Sequence, residues 1–244
     1  EPMMSDLLIV IPAYNEEENI ERVVDNLIRN YPEFDYVVIN DGSKDRTAQI
    51  CREKGYNLLD LPVNLGLAGG FQAGLKYAWR NGYEYAVQFD GDGQHRPEFI
   101  QTMKEKMAEG YDIVIGSRFV TEKKPKTMRM LGSNLISGAI RLTTGVRVKD
   151  PTSGMRMFHR KMIEEFALSL NYGPEPDTVS YLLRQGAKVA EVQVKMDERI
   201  AGVSYLNPVN AVKYMTKMLF SILIIQNFRK RENKYRKKNG GEKQ

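Results

Sequence analysis

The sequence predicts an α/β fold: a doubly wound, mostly parallel sheet within residues 1–205, followed by an amphipathic helix and a basic tail over 206–244. Three observations predict it. Short runs rich in Val and Ile alternate with helically periodic segments for about 115 residues, the rhythm of parallel strands joined by crossover helices. Five polar motifs, "PAYNE", "NDGS", "NLGLAGG", "DGDGQ" and "GSR", each follow such a run, and sheets of this kind bind ligands beyond the carboxyl ends of their strands. Finally, 244 residues with 42% hydrophobic and 27% charged side chains can fill one sizeable core, with no internal repeat.

Leu7 to Ile11 reads as the first buried strand. The next segment places Ile20, Val23, Val24, Leu27 and Ile28 at helical spacing, with Asn15 as N-cap and Glu18 at the capping-box position. Tyr36 to Ile39 is the second strand, and Thr47 to Lys54 a helix closed by Gly55. A weaker strand, Leu58 to Leu61, leads into "NLGLAGG", read as a glycine-rich turn before a helix from Phe71 to Arg80. Tyr85 to Phe89 and Ile113 to Ile115 are the fourth and fifth strands, with a helix opened by Pro97 between them. Beyond Arg118 the rhythm breaks. "TEKKPKTMRM" reads as a charged loop, Leu131 to Thr144 as a helix, "DPTSGMRMF" as the entry to a short strand, and Val189 to Val194 as another. Asn207 and Pro208 start a last helix reaching about Arg229.

Composition excludes several chemistries. A single cysteine, Cys51, forbids an internal disulfide and fits a reducing compartment. Two histidines, His95 and His159, leave little for a zinc site or a Ser-His-Asp triad; His95 reads as a supporting or surface residue. The N-terminus has no signal-peptide pattern. The net charge of +5 is a tail property: residues 229–244 hold eight Lys/Arg and two Glu, +6, whereas residues 1–228 carry −1. With Tyr235 its only aromatic, that tail does not suit nucleic acid.

Asp90 and Asp92 pose the chemical question, because carboxylates at a strand's end need a partner. Spaced at i and i+2 on a turn with Gly91 and Gly93, they can approach one hard divalent cation. Mg²⁺ or Mn²⁺ takes oxygen ligands and keeps positions open for substrate phosphates.

"VIPAYNEEENI", "VINDGSKDRT", "NLGLAGG", "FDGDGQH" and "VIGSRF" together resemble the ordered motifs of family 2 glycosyltransferases with the GT-A fold. The branch they most resemble contains dolichyl-phosphate mannose synthases and bacterial undecaprenyl-phosphate glycosyltransferases, and the resemblance covers about residues 7–205. It implies that Pro12, Ala13, Tyr14 and Glu16 line the nucleotide pocket, with Gly66 and Gly91 among the donor-site residues. Asp41 would contact the base, or simply cap the turn before Thr47. Asp90, Asp92 and Gln94 would surround the metal, and Arg118, Arg129 and Ser133 would hold the acceptor's phosphate.

"DPTSGMRMF" resembles the family's Asp-x-x-Ser-Gly segment, making Asp150 a candidate base or electrostatic stabiliser, with Asp92 the other catalytic candidate. Ser153, Gly154 and Arg156 would shape the pocket, and Glu175 and Asp177 would form a second acidic loop. "DERIAGVSYL" resembles the family's Arg-x-x-Gly-x-Ser-Lys through Arg199, Gly202 and Ser204, with Tyr205 where the lysine is expected.

The resemblance implies an inverting transfer of a sugar from a nucleotide-sugar donor to a polyprenyl phosphate at the inner face of the cell membrane. The enzyme would be cytoplasmic and peripheral there, with a membrane protein or a second copy as a further partner. The alternative is extension of a cell-surface glycan at a sugar hydroxyl; a non-catalytic scaffold is the rival of another class. "NLGLAGG" is not G-x-G-x-x-G and follows the third strand, which disfavours a dinucleotide site. In the last helix Val209, Val212, Met215, Leu219, Leu223 and Gln226 fall at helical steps. Its dense apolar run, Met218 to Ile225, rises roughly 12 Å against a hydrocarbon core of about 30 Å. That helix either lies on an anionic surface with its polybasic tail or packs on the core.

Overall fold

The computed structural model describes residues 5–168, 173, 175–198 and 208–228. Its strands are β1 (Leu7–Ala13), β2 (Asp35–Asp41), β3 (Leu58–Leu61), β4 (Tyr85–Gln88), β5 (Ile113–Ser117), β6 (Arg156–His159) and β7 (Val189–Gln193). The helices are α1 (Ile20–Asn30), α2 (Thr47–Glu53), α3 (Gly66–Arg80), α4 (Ile100–Ala108), α5 (Met128–Thr144), α6 (Arg160–Leu168), α7 (Pro176–Arg184) and α8 (Pro208–Leu223). The strands form one sheet in the order β3-β2-β1-β4-β6-β5-β7. Only β6 runs antiparallel, paired between β4 and β5.

Both faces of the sheet are covered, which is why β1 reads LLIVIPA rather than alternating. Leu7, Ile9, Ile11, Val38 and Val87 pack under α1, α2 and α4. Leu8, Val10, Val37, Ile39 and Ala86 pack under α3 and α5–α8. Phe71, Phe158 and Phe166 meet edge-on there, with centroids 5.2–5.4 Å apart.

Several expectations are corrected. "NLGLAGG" is mostly helix, because α3 begins at Gly66. Its later glycine, Gly74, lies so close to β1 that a Cβ would come within 2.2 Å of Val10 Cγ1. Glycine costs a helix about 1 kcal/mol relative to Ala, and here the close packing of helix on sheet outweighs it. Asn15 does not cap α1; it adopts φ 55, and the N-cap is Asn19. α5 starts three residues earlier than expected, where the Thr127 hydroxyl accepts the Met130 N–H. α6 and α7 were not anticipated. β1 and β5 run on to Ala13 and Ser117, carrying the ladder further toward the polar loops.

α8 packs against α5 and α7, and its buried face is not the expected stripe. Met218, Ser221, Ile222 and Gln226 are buried, while Val212 and Leu223 are exposed. Two contacts set this rotation. The Ser221 hydroxyl and Gln226 amide both donate to Asp177, and Gly132 on α5 leaves room for Met215, whose side chain an added Cβ would meet at 2.9 Å. The helix ends at Leu223, with a 3₁₀ turn over Ile225–Phe228.

Candidate active site

The loops after β1 and β2 are laced together at the carboxyl rim. Asn15 N–H donates to Ser43 Oγ (3.0 Å) and Asn15 Oδ1 accepts from Lys44 N–H (2.9 Å). Glu16 N–H donates to Thr47 Oγ1 (2.8 Å), and Glu17 and Asp45 exchange bonds with each other's loops. Asp45, not Asp41, caps the turn into α2 at Thr47. This lacing fixes Pro12, Ala13 and Tyr14 at the rim; Ala13 is buried and the Tyr14 ring is exposed. Glu16 accepts from the Asn19 amide at 2.9 Å, which ties its carboxylate to the start of α1.

Asp41 is buried at the end of β2. One of its oxygens accepts the Leu65 N–H at 2.6 Å, at the entry to α3, and its carbonyl accepts from the Asn64 amide at 3.0 Å. Gly42, at φ +62, closes this junction, since a Cβ there would stand 2.5 Å from Asn64 N. Asp41 is therefore the hinge pin between the β2 loop and α3, with its second oxygen beside Gly70. Gly66, at φ +74, faces open space at the first turn of α3.

The Asp-x-Asp turn is held by a histidine. Asp90 N–H donates to His95 Nδ1 at 2.9 Å, which puts the imidazole proton on Nε2, 3.5 Å from Asp90 Oδ2. His95 is buried, edge-on to Phe89, so of its two expected places it takes the supporting one and not the surface. Gly154 passes on the other side, where a Cβ would come within 3.1 Å of Asp90 Oδ2. Gly91 packs on the Pro12 carbonyl, and Gly93, at φ +80, on the Arg22 guanidinium. Asp92 is nearly buried and caps the turn through Gln94 N–H (3.0 Å).

These groups fit a Mg²⁺ or Mn²⁺ ion that takes part of its shell from substrate. Asp90 keeps 36% of its side chain exposed at the rim, and the Gln94 side-chain amide makes no hydrogen bond among the described residues. No cluster of three or more His, Cys, Asp or Glu able to hold a metal occurs among the described residues.

Across the rim, Arg118 closes a fork on Asp150. Its Nε and Nη2 each reach a carboxylate oxygen at 2.8 Å, and its own backbone N–H adds a third bond at 3.0 Å. Asp150 is 0% exposed, so it does not present a vacant basic oxygen to a substrate. In this geometry the Asp150 carboxylate holds the Arg118 guanidinium. Behind it, Glu191 on β7 accepts both Lys149 N–H and Asp150 N–H at 2.8 Å, and Gln193 bridges Arg118 O to Thr121 N–H.

The turn Asp150–Gly154 then crosses to the acidic side. Ser153 Oγ donates to Gly116 O at 2.5 Å and is buried, so its hydroxyl locks the turn to β5. Arg156, fully buried, donates to the carbonyls of Pro151, Ser153 and Glu175, and burial lowers its guanidinium pKa. Glu175 stands at the N-cap position of α7 without a side-chain capping bond, its carboxyl pushed up by burial, and Asp177 is bound by Ser221.

Ser133 is fully buried in α5 and receives a hydrogen bond from Lys124 Nζ at 3.0 Å. Arg129, by contrast, is exposed on the first turn of α5 with no hydrogen bond or ion pair among the described residues. Arg199, Gly202, Ser204 and Tyr205 lie outside the described residues.

A family model described as "Glycosyl transferase family 2" matches residues 8–167. The chain belongs to that family. This family 2 glycosyltransferase is 30% identical to the polyprenol monophosphomannose synthase of Mycolicibacterium smegmatis, over 86% of its own length and 84% of the relative's. It is 31% identical to a UDP-N-acetylglucosamine–dolichyl-phosphate N-acetylglucosaminyltransferase of Methanococcus voltae, covering 79% of this chain and 86% of that one. Its GT-A fold matches glucosyl-3-phosphoglycerate synthase of Mycobacterium tuberculosis, solved with Mn²⁺, UDP and phosphoglyceric acid. There the TM-score is 0.67 at 20% identity, covering 92% of this chain and 78% of that chain.

Three residues of the glycosyltransferase's rim escaped sequence reasoning: Glu191, Gln193 and Lys124. They sit on a strand read only for its apolar content and in a loop read as solvated charge. Nothing local in the sequence marks them, because their partners are 9 to 75 residues away.

Proposed function

We propose that the enzyme transfers a sugar, with inversion and with Mg²⁺ or Mn²⁺, from a nucleotide-sugar donor to a polyprenyl phosphate at the cytoplasmic face of a membrane. The observation that carries this reading is the turn Asp150–Gly154. One end of it grips Arg118 and the other lies against Asp90, so a single short turn links the cationic group to the acidic one. The named activities of the relatives support the same acceptor class.

Asp90 and Asp92, with Gln94 beside them, would hold the cation, which when bound stabilises the charge developing on a diphosphate leaving group. The laced β1 and β2 loops, with Pro12, Ala13, Tyr14 and Glu16, orient the nucleotide, and Asp41 fixes the floor between them and α3. Arg118 fastens the acceptor phosphate, its orientation set by Asp150. A phosphate monoester is anionic at neutral pH and needs positioning more than deprotonation. A sugar hydroxyl would require a general base. With both oxygens of Asp150 engaged by Arg118, the geometry favours the phosphate acceptor over glycan extension.

Residues 1–205 are assigned the transfer chemistry and 206–244 the attachment to lipid. No helix among the described residues is long and apolar enough to cross a membrane. The packed pair α5 and α8 exposes Met128, Leu131, Leu135, Val212 and Phe220, and Phe228 is 86% exposed just before the basic residues 229–238. Such a surface suits an interfacial, peripheral attachment.

The test is a donor panel with a short, water-soluble prenyl phosphate as acceptor. Transfer is expected with Mn²⁺ or Mg²⁺ and is expected to vanish in excess EDTA and in Asp92→Asn. Full activity in EDTA sinks the metal-dependent reading, and transfer only to a glycan hydroxyl sinks the acceptor.

A further inference from the structure

We propose that Lys124, held by Ser133, is a further ligand for the acceptor, completing with Arg118 a site for a phosphate monoester. The inference rests on the proposed transfer to a polyprenyl phosphate and adds a residue that the motifs did not mark.

The geometry around Lys124 is that of a cation awaiting an anion. Its Nζ donates to Ser133 Oγ at 3.0 Å, a neutral hydroxyl, and no carboxylate lies within 4.0 Å of it among the described residues. It stands 5.4 Å from the centre of the Phe119 ring, and the Arg118 guanidinium stands 5.1 Å from the same centre. Two cations therefore flank one aromatic ring. Arg118 spends Nε and Nη2 on Asp150, which leaves Nη1 without a hydrogen bond among the described residues.

Charge decides what the site lacks. Asp150 neutralises Arg118, so an incoming phosphate meets little net attraction from that pair alone. Lys124 supplies the missing charge. Burial lowers its pKa, Arg118 and Arg147 push it further down, and Asp150 and Glu191 pull it back only in part. A desolvated ammonium of this kind gains from a doubly charged partner, and a charge-assisted bond to phosphate is about twice as strong as a neutral one. Ser133, buried and bonded to Lys124, would hold the ammonium in place beside the phosphate without touching it.

A donor diphosphate shares this chemistry, so the experiment has two arms. In the full-length protein, Lys124→Gln and Lys124→Arg are titrated with a short prenyl phosphate alone and, separately, with nucleotide-sugar plus Mn²⁺. The expected result is that Lys124→Gln weakens prenyl-phosphate binding about tenfold or more, that Lys124→Arg recovers part of it, and that donor binding is unchanged. Calorimetry in buffers of different ionisation enthalpy should also show proton uptake on prenyl-phosphate binding at alkaline pH, lost in Lys124→Gln; a residue that only braced Ser133 would not move this. Wild-type protein that binds prenyl phosphate as tightly as Lys124→Gln does overturns the inference and leaves the acceptor reading standing. A loss confined to the donor arm overturns it too, assigning Lys124 to the diphosphate. Wild-type protein that binds donor but no prenyl phosphate overturns the acceptor reading, and the inference with it.

Discussion

The Arg118 guanidinium and the Asp150 carboxylate form a closed two-bond fork, both contacts 2.8 Å, with the carboxylate wholly removed from solvent. A buried charge so held is expensive to leave alone: removing one partner of such a pair costs about 3–5 kcal/mol. Asp150→Ala is expected to lose stability near the lower end of that range, since Arg118 can turn toward water. Asp150→Asn should keep one bond and most of the stability. Urea unfolding separates these outcomes. In both variants the KM for a short prenyl phosphate should rise more than donor affinity falls. An Asp150→Asn enzyme with an unchanged acceptor KM would show that the fork is structural only.

His95 and Gly154 set the position of Asp90 from two sides. Groups that orient a metal-binding carboxylate or imidazole typically change metal affinity about 10–100-fold when removed. His95→Phe, which preserves the ring's packing on Phe89, should weaken Mn²⁺ binding in the presence of nucleotide by about tenfold or more. Gly154→Ala should do the same by crowding Asp90 Oδ2. Thermal shift against a Mn²⁺ series reads both, with circular dichroism to confirm the fold. Wild-type Mn²⁺ dependence in both variants would remove Asp90 from the metal site.

Asp41 has two duties that substitutions can part. Asp41→Ala loses the acceptor for Leu65 N–H and should cost about 1 kcal/mol of stability. Asp41→Asn can still accept that bond and should be close to wild type in unfolding. If the free oxygen faces the nucleotide base, both variants weaken donor binding while kcat changes less. An unchanged donor Kd in Asp41→Asn assigns the residue to the hinge between β2 and α3 alone.

Attachment to lipid should come from two sources with different salt responses. Each Lys or Arg near an anionic surface contributes about 1 kcal/mol, and that contribution fades as the screening length falls to about 3 Å at 1 M salt. Truncation after Phe228, which removes the +6 tail, should cut co-sedimentation with anionic liposomes at low salt. It should leave transfer to a soluble prenyl phosphate intact. Phe220→Ser with Leu131→Ser should instead remove binding that survives high salt. Equal liposome binding by the truncated and full chains would make the tail a solvated terminus.

The sequence by itself determined the layer architecture and the rim. Runs such as LLIVIPA and YVVIN must be buried on both faces, and the helical periodicity between them supplies the cover. A sheet built this way has to put "PAYNE", "NDGS", "DGDGQ" and "GSR" at one edge. It also placed Asp90 and Asp92 on a glycine-containing turn at a strand's end, where they can approach one divalent cation. What only the tertiary structure decided is how those groups are engaged. The fork between Asp150 and Arg118 joins residues 32 positions apart, and Glu191 reaches its backbone partner from 41 positions away. The close seat of α3 on β1 turns on Gly74, and the face that α8 buries turns on Gly132 and Asp177. Local patterns record periodicity and propensity, which act over a few residues. Desolvation, charge pairing and close approach act through space, and they become fixed only when the chain has folded.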